Sequence, residues 1–272
     1  MEEIELAKII SFSNQKGGVG KTTSAVNVAA SLGVLGYKVL LIDLDPQGNA
    51  TSGVGIPKKG LKNSINDVLA GGVPAADAII QTEFDNLDII PANITLAGAE
   101  YSLYQVDGAE SVMKNALAPI KDNYDYIIID CSPSLGMMTL NALSAADSVI
   151  IPVQAHYLPA KCMTQLMRTI TKVKKHINPK LNIDGILLTL VDNRTNLAKS
   201  TIDALRENFG SYIKIYNTHI PIAIKAAEVS SKGKSIYAYE PNSTVSKAYT
   251  EFSKEVLADG RKKERLHSAQ VR

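Results

Sequence analysis

An α/β fold of one domain is predicted: a mostly parallel, twisted β-sheet flanked by helices on both faces. Three observations carry this. Short apolar runs alternate with helical patterns along the chain, as repeated β–α units require. The helical stretches are long enough to cross over between parallel strands. Some runs, such as YKVLLIDLD (37–45), are almost unbroken in apolar character, which marks strands buried on both faces.

The elements follow in order. AKIISFSN (7–14) reads as a buried strand, 21–35 as a helix and 37–45 as the second strand. LDIIPA (87–92), YDYIIID (124–130), DSVIIPV (147–153) and IDGILLTLV (183–191) are four further strands. Helical patterns occupy 95–104, 109–121, 135–145, 160–176, 196–209 and 243–258. The Gly-rich segments 53–60 and 70–74 read as loops. No repeat and no Pro- or Ser-rich linker divides the chain, so residues 1–260 form the domain and 261–272 a basic tail.

Composition excludes several classes. Of 272 residues, 45% are hydrophobic and 21% charged, which is globular rather than disordered. No run of eighteen apolar residues is present to span a membrane. The start, MEEIELAK, is acidic where a signal peptide is basic, and two cysteines, Cys131 and Cys162, cannot build a disulfide framework; a reducing, cytoplasmic setting is expected. Net charge is +2, yet without 261–272 the chain holds 24 basic and 26 acidic residues. A uniformly basic nucleic-acid binder is excluded, and contact with a polyanion must come from local patches.

The strongest chemical signal is NQKGGVGKTT (14–23), placed between the first strand and the first helix. Gly17, Gly18 and Gly20 let backbone N–H groups approach an anion, and the helix behind them adds its positive end. Lys21 is placed to reach β- and γ-phosphates and the Thr22 hydroxyl to ligate Mg²⁺. The usual phosphate loop has glycine where this chain has Gln15, followed by a second lysine, Lys16. Asp43 and Asp45 end the second strand two residues apart, on one side of the pleat at the carboxyl edge. Asp130 ends the hydrophobic strand YIII; downstream of a phosphate loop, that position suits a metal-side acid acting through water. Cys131 reads as a small buried residue.

The run Lys16-Gly17-Gly18-Val19-Gly20-Lys21-Thr22-Thr23 resembles the deviant phosphate loop of the ParA/MinD family of ATPases, which have a P-loop NTPase fold. LLIDLDPQGNATSG (40–53), DYIIIDCSPSLGMMTLNAL (125–143) and DNRTNLA (192–198) are similar to the matching blocks of ParA/Soj partition proteins, and the resemblance spans about 5–258. It implies ATP/ADP and Mg²⁺ as cofactors, with Lys16 through Thr23 on the nucleotide and Lys16 reaching across an ATP-bound homodimer. It implies that Asp45 positions or activates the attacking water and that Asp43 is a structural group or acts on Mg²⁺ through water. Asp192, Asn193 and the backbone at Pro221 either flank the adenine or are plain loop.

Basic residues on the ParA dimer surface bind DNA without sequence preference. Arg194 matches one of them, Lys225 stands where another is common, and Arg168, Lys172 and Lys175 belong to an acid-free basic run over 161–180. This chain departs from the family pattern at Ser132, over 154–162 and over 220–232, where Ile222 replaces a usual arginine. The resemblance implies an ATP-dependent DNA-segregation ATPase, cytoplasmic and nucleoid-associated, whose ParB-like partner stimulates hydrolysis. No helix-turn-helix segment precedes the first strand, so specific operator binding is not expected. The alternatives are a MinD-like membrane-cycling ATPase, whose amphipathic anchor RKKERLHSAQVR (261–272) matches poorly, and a nucleotide-gated scaffold without turnover. An electron carrier like the nitrogenase iron protein needs paired cluster cysteines, which Cys131 and Cys162 do not suit.

Overall fold

Seven strands run in the order β3-β4-β2-β5-β1-β6-β7. They are β1 (Lys8–Phe12), β2 (Val39–Leu44), β3 (Ile80–Gln81), β4 (Leu87–Ile90), β5 (Tyr126–Cys131), β6 (Ser148–Gln154) and β7 (Asn182–Thr189). All pair in parallel except the two-residue edge strand β3, which is antiparallel to β4. This computed structural model describes residues 7–155, 160–192, 194–222, 239–240 and 242–270, with the side chains of 160–162 and 261–270 left aside.

The helices are α1 (Lys21–Val34), α2 (Asn49–Gly53), α3 (Ile65–Leu69), α4 (Leu96–Leu103), α5 (Val112–Leu117), α6 (Met137–Ala145), α7 (Ala160–His176), α8 (Asn196–Phe209) and α9 (Thr244–Gln270). α1 and α9 pack on one face of the sheet, around Phe12, Leu32, Leu41, Tyr249 and Phe252. α3 to α8 cover the other face, around Leu40, Ile127, Ile129, Leu143, Leu166 and Leu205. Each central strand therefore sends apolar side chains both ways, and all six residues of β2 are buried.

The predicted strands are all present, with ends displaced by a residue or two. The expected helix over 109–121 is instead α5 between two 3₁₀ turns, Ala109–Ser111 and Lys121–Asn123. α2, α3 and β3 were not predicted; each has five residues or fewer, too short to show a period. α9 continues through the segment read as a tail. Beyond β7, residues 215–221 run alongside it through isolated bridges, Ile186 to Ile215 and Val191 to Pro221.

The order of the sheet positions the site. β1 leads to β2, but β5 lies between them. The carboxyl ends of β2, β5 and β1 thus lie side by side at the crevice where open α/β sheets bind ligands.

At the far side, Asn178 locks α7 to the end of α6. Its buried Nδ2 donates to the carbonyls of Leu143, Ser144 and Ala146 at 3.0, 3.1 and 2.7 Å. Asn178→Ala would strand these acceptors and is expected to cost about 1–3 kcal/mol. Urea unfolding, read as a lower midpoint at unchanged slope, measures it.

Candidate active site

The glycine loop leaves β1 and turns into α1. Gly18 and Gly20 hold φ of 73° and 78°, a left-handed backbone that other residues adopt only under strain. Asn14 sets the loop's entry: its Nδ2 donates to the Pro152 carbonyl at 2.8 Å, and its Oδ1 accepts from Lys16 N at 3.0 Å. The exit is braced by Thr189 at the end of β7, whose hydroxyl donates to the Val19 carbonyl at 2.8 Å and whose side chain lies under Gly20. α1 begins with no acidic residue in its first turn and no side-chain cap. Its positive end is left for an anion.

Lys21 is buried, and its ammonium donates back to the Lys16 carbonyl at 3.0 Å. Burial lowers its pKa from the ordinary value, while Asp130, Cys131 and Asp45 oppose that shift. A cation already stripped of water and turned onto its own loop can exchange that carbonyl for a phosphate oxygen.

Two carboxylates lie side by side on neighbouring strands, and one of them, Asp130, acts on this cation. Asp43 of β2 lies directly opposite Asp130 of β5, and both are fully buried. Asp43 is committed to the protein. Its Oδ2 accepts from the Thr51 N–H and hydroxyl, both at 2.7 Å, and its Oδ1 from Asp45 N at 3.2 Å. Burial nevertheless raises its pKa to about 6 against the effect of these bonds. Asp130 differs: neither carboxylate oxygen has a hydrogen-bond partner. Burial, then the neighbouring Asp43, hold its pKa well above the usual carboxylate range. Thr22 and Lys21 pull the other way, and the Thr22 hydroxyl lies close without meeting hydrogen-bond geometry.

Buried ionisable oxygens are ordinarily paired, so Asp130 is a group awaiting a partner. Among the described residues no three His, Cys, Asp or Glu side chains could hold a metal by themselves. That donor set suits Mg²⁺, which takes one or two protein groups and completes its shell with water and phosphate. Thr22 and Asp130 fit it; Asp43 sits behind them, holding α2 and pressing on Asp130.

Asp45 follows β2 at the mouth of the site, where its Oδ1 accepts from Gln47 N at 2.9 Å. Cys131 is buried and bonded to the hydroxyls of Ser11 and Ser13, with its thiol pushed up to about 11 by burial. It is the small buried residue the sequence suggested.

A model of the AAA domain family matches residues 7–183. The sporulation initiation inhibitor protein Soj of Bacillus subtilis is 48% identical over 94% of this chain and all of its own length. The chromosome partitioning protein ParA of Caulobacter vibrioides is 40% identical over 92% of this chain and 94% of its own. This chain belongs to the ParA/Soj family of partition ATPases. Among solved structures, cobyrinic acid a,c-diamide synthase from Mycobacterium smegmatis with bound ADP and magnesium superposes with a TM-score of 0.84. It is 35% identical, with 94% of this chain and 96% of that one covered.

The residues read as the partition ATPase's working groups gather unevenly. Lys16, Gly17, Gly18, Val19 and Gly20 form the loop and Lys21, Thr22 and Thr23 the first turn of α1, beside Asp130 and Asp45, with Asp43 next to Asp130. Asp192 lies past β7, and Arg194 donates to both its oxygens, from Nε at 2.9 Å and Nη2 at 3.0 Å. The carboxylate expected near the base is thus joined to a cation expected on DNA. Pro221 lies beside Val191, its neighbours bonded to that residue's backbone. Arg168, Lys172 and Lys175 share the solvent face of α7, opposite the buried Met163, Leu166, Ile170 and Val173. Asn193, Lys225, the side chain of Cys162 and residues 156–159 and 223–232 lie outside the described residues. Asn14, Thr51 and Thr189 were not singled out from the sequence. Their only signal was a polar residue at a strand end or within a short helix.

Asp43 and Asp130 hold protons more tightly in the folded chain than in the unfolded one. Their favourable contribution is present at low pH and is lost as pH rises, through about 6 for Asp43. Asp130→Asn should therefore stabilise the nucleotide-free protein at about neutral pH, by roughly 1–3 kcal/mol, with little effect at about pH 4. Thermal unfolding of both proteins across that range checks the sign.

Proposed function

We propose that this protein is an ATP-hydrolysing DNA-segregation ATPase that binds ATP with Mg²⁺ as a face-to-face homodimer. The observation that carries the reading is the buried, unpartnered Asp130 beside Lys21 and Thr22 under an open helix N-terminus. A site with a desolvated cation, a stranded acid and free backbone donors matches a polyphosphate and its metal. Backbone N–H groups of residues 17 to 22 bind phosphate oxygens. Lys21 neutralises their charge. Thr22 and Asp130 would hold Mg²⁺, which would supply electrostatic stabilisation of charge on the phosphates.

Asp45 orients the attacking water, and Lys16 reaches the partner's nucleotide to offset charge as the phosphoryl group leaves. The nucleotide then controls assembly, because Lys16 completes a site only when two copies meet. Asp192, Asn193 and Pro221 flank the base. The exposed face of α7 with Arg194 and Lys225 binds DNA phosphates without reading sequence, and dimerisation doubles that face. A ParB-like protein stimulates hydrolysis and returns the dimer to monomers in the cytoplasm, off the nucleoid. No described helix is long and apolar enough to cross a membrane.

Three substitutions separate the roles. Lys21→Ala should lose nucleotide binding. Lys16→Ala should bind ATP and fail to form the ATP-dependent dimer or to turn over. Asp45→Ala should bind and dimerise while hydrolysis falls at least tenfold, about 1.4 kcal/mol or more on the barrier. Calorimetry, light scattering and phosphate release read the three properties. Lys16→Ala and Lys21→Ala failing alike to bind ATP would make Lys16 a ligand within its own subunit.

DNA binding is expected to be ATP-dependent, indifferent to sequence and steeply weakened by salt. For Arg194 to neutralise a phosphate it must leave Asp192, an exchange made easy by the exposure of the Arg194 side chain. Arg194→Ala should weaken binding to all sequences alike and reduce the salt slope by about one. Fluorescence anisotropy over a salt series, with ATP, ADP and no nucleotide, measures it. Equal affinity in all three nucleotide conditions would remove DNA from this reading.

A further inference from the structure

The turn that carries Asp45 is held from outside by a lysine to which neither the motif nor the family blocks drew attention. Residues 45–48 form a tight turn: Gly48 N donates to the Asp45 carbonyl at 2.8 Å and Gln47 N to the Asp45 carboxylate at 2.9 Å. The Gln47 carbonyl faces outward, and the Lys58 ammonium donates to it at 2.8 Å. The Lys58 stem lies across Gly48, which has a left-handed φ of 61°. A Cβ on Gly48 would come within 2.5 Å of the Lys58 Cδ and 2.8 Å of the Ala92 carbonyl oxygen. Gly48 is thus pressed between the end of β4 and the lysine stem. The loop that brings Lys58 here is tied down in turn, since Ile56 N donates to the Thr51 carbonyl at 3.1 Å. Thr51 is the residue that holds Asp43.

We propose that Lys58 is a positioning residue for hydrolysis, clamping the 45–48 turn so that the Asp45 carboxylate is held toward the phosphate loop. The inference rests on the reading that Asp45 orients the attacking water. Lys58 is exposed and acts on the reaction through Asp45 alone. Its ammonium supplies a charge-assisted bond to a carbonyl that would otherwise face water, and its stem closes the turn against Ala92. Loss of the clamp lets Asp45 sample orientations that do not hold water, which slows the chemical step and leaves phosphate affinity alone.

The test is steady-state ATP hydrolysis with Mg²⁺, in the absence of DNA and partner protein, for Lys58→Met, Lys58→Arg and Asp45→Ala. Lys58→Met keeps the stem and removes the charge. It should lower kcat by roughly three- to tenfold, the size of one net hydrogen bond on the solvent side, with KM and ATP affinity within about twofold. Lys58→Arg should recover most of the loss. Lys58→Met added to Asp45→Ala should have no further effect, because both act through one group. Unchanged kcat in Lys58→Met, with Asp45→Ala inactive, overturns this inference and leaves the role of Asp45 standing. A rise in KM matched by weaker ATP binding overturns it in favour of a direct nucleotide contact. Full activity in Asp45→Ala brings down the parent reading and this inference together. Thermal unfolding of Lys58→Met, expected within a degree or two of the parent, separates positioning from general loss of stability.

Discussion

Burying Asp43 and Asp130 side by side is the constraint around which this structure is arranged. Parallel pairing of β2 with β5 puts the two carboxylates at matching positions on adjacent strands, away from water. Two like charges in that setting cannot both ionise without compensation. The fold answers differently for each. Asp43 is satisfied by the Thr51 hydroxyl and by two backbone N–H groups, so it serves as the post on which α2 is hung. Asp130 receives only the charge of Lys21 and the close but unbonded Thr22. The folded chain thereby carries an unmet electrostatic demand at one point, and the same point lies under the positive end of α1.

The phosphate loop is held by residues from strands remote in sequence. Asn14 reaches the backbone of β6, and Thr189 reaches across from β7 to Val19. Gln15 extends this outward by donating to Gln165 on α7 at 2.8 Å. The loop is therefore pinned at its entry, exit and flank, and its open N–H groups need little rearrangement to receive an anion. Pre-set donors of this kind contribute most when charge develops, because their ordering cost has been met in folding.

Side chains outside the phosphate loop divide along the sheet. The carboxyl ends of β2 and β5 carry the acids, while the strip beyond β7 carries Asp192, Arg194 and Pro221. α7, between β6 and β7 in sequence, turns its apolar residues inward and Arg168, Lys172, Lys174 and Lys175 outward. The acid pair and the basic face of α7 thus belong to different strands and connections of the sheet and share no residue. Arg194 pairs with Asp192, joining a cation of one set to an acid of the other.

Local chemistry made much of this legible from residue order alone. The glycine loop announces itself because left-handed turns at Gly18 and Gly20 and a following lysine have few other uses. The long strands and helices announce themselves through period. Asp45 and Asp130 were legible as acids at strand ends, which is where ligands meet parallel sheets. Short elements such as α2, α3 and β3 escaped because two to five residues cannot establish a period. The distinction between Asp43 and Asp130 was not legible either, since both are aspartates ending apolar strands. It depends on Thr51, which α2 carries back to Asp43, while the insertion of β5 between β1 and β2 sets Asp130 alongside without a bonded partner. The roles of Asn14, Thr189 and Lys58 are decided the same way. Each acts on a backbone carbonyl that pairing and loop packing bring within reach, and a carbonyl carries no mark in the sequence.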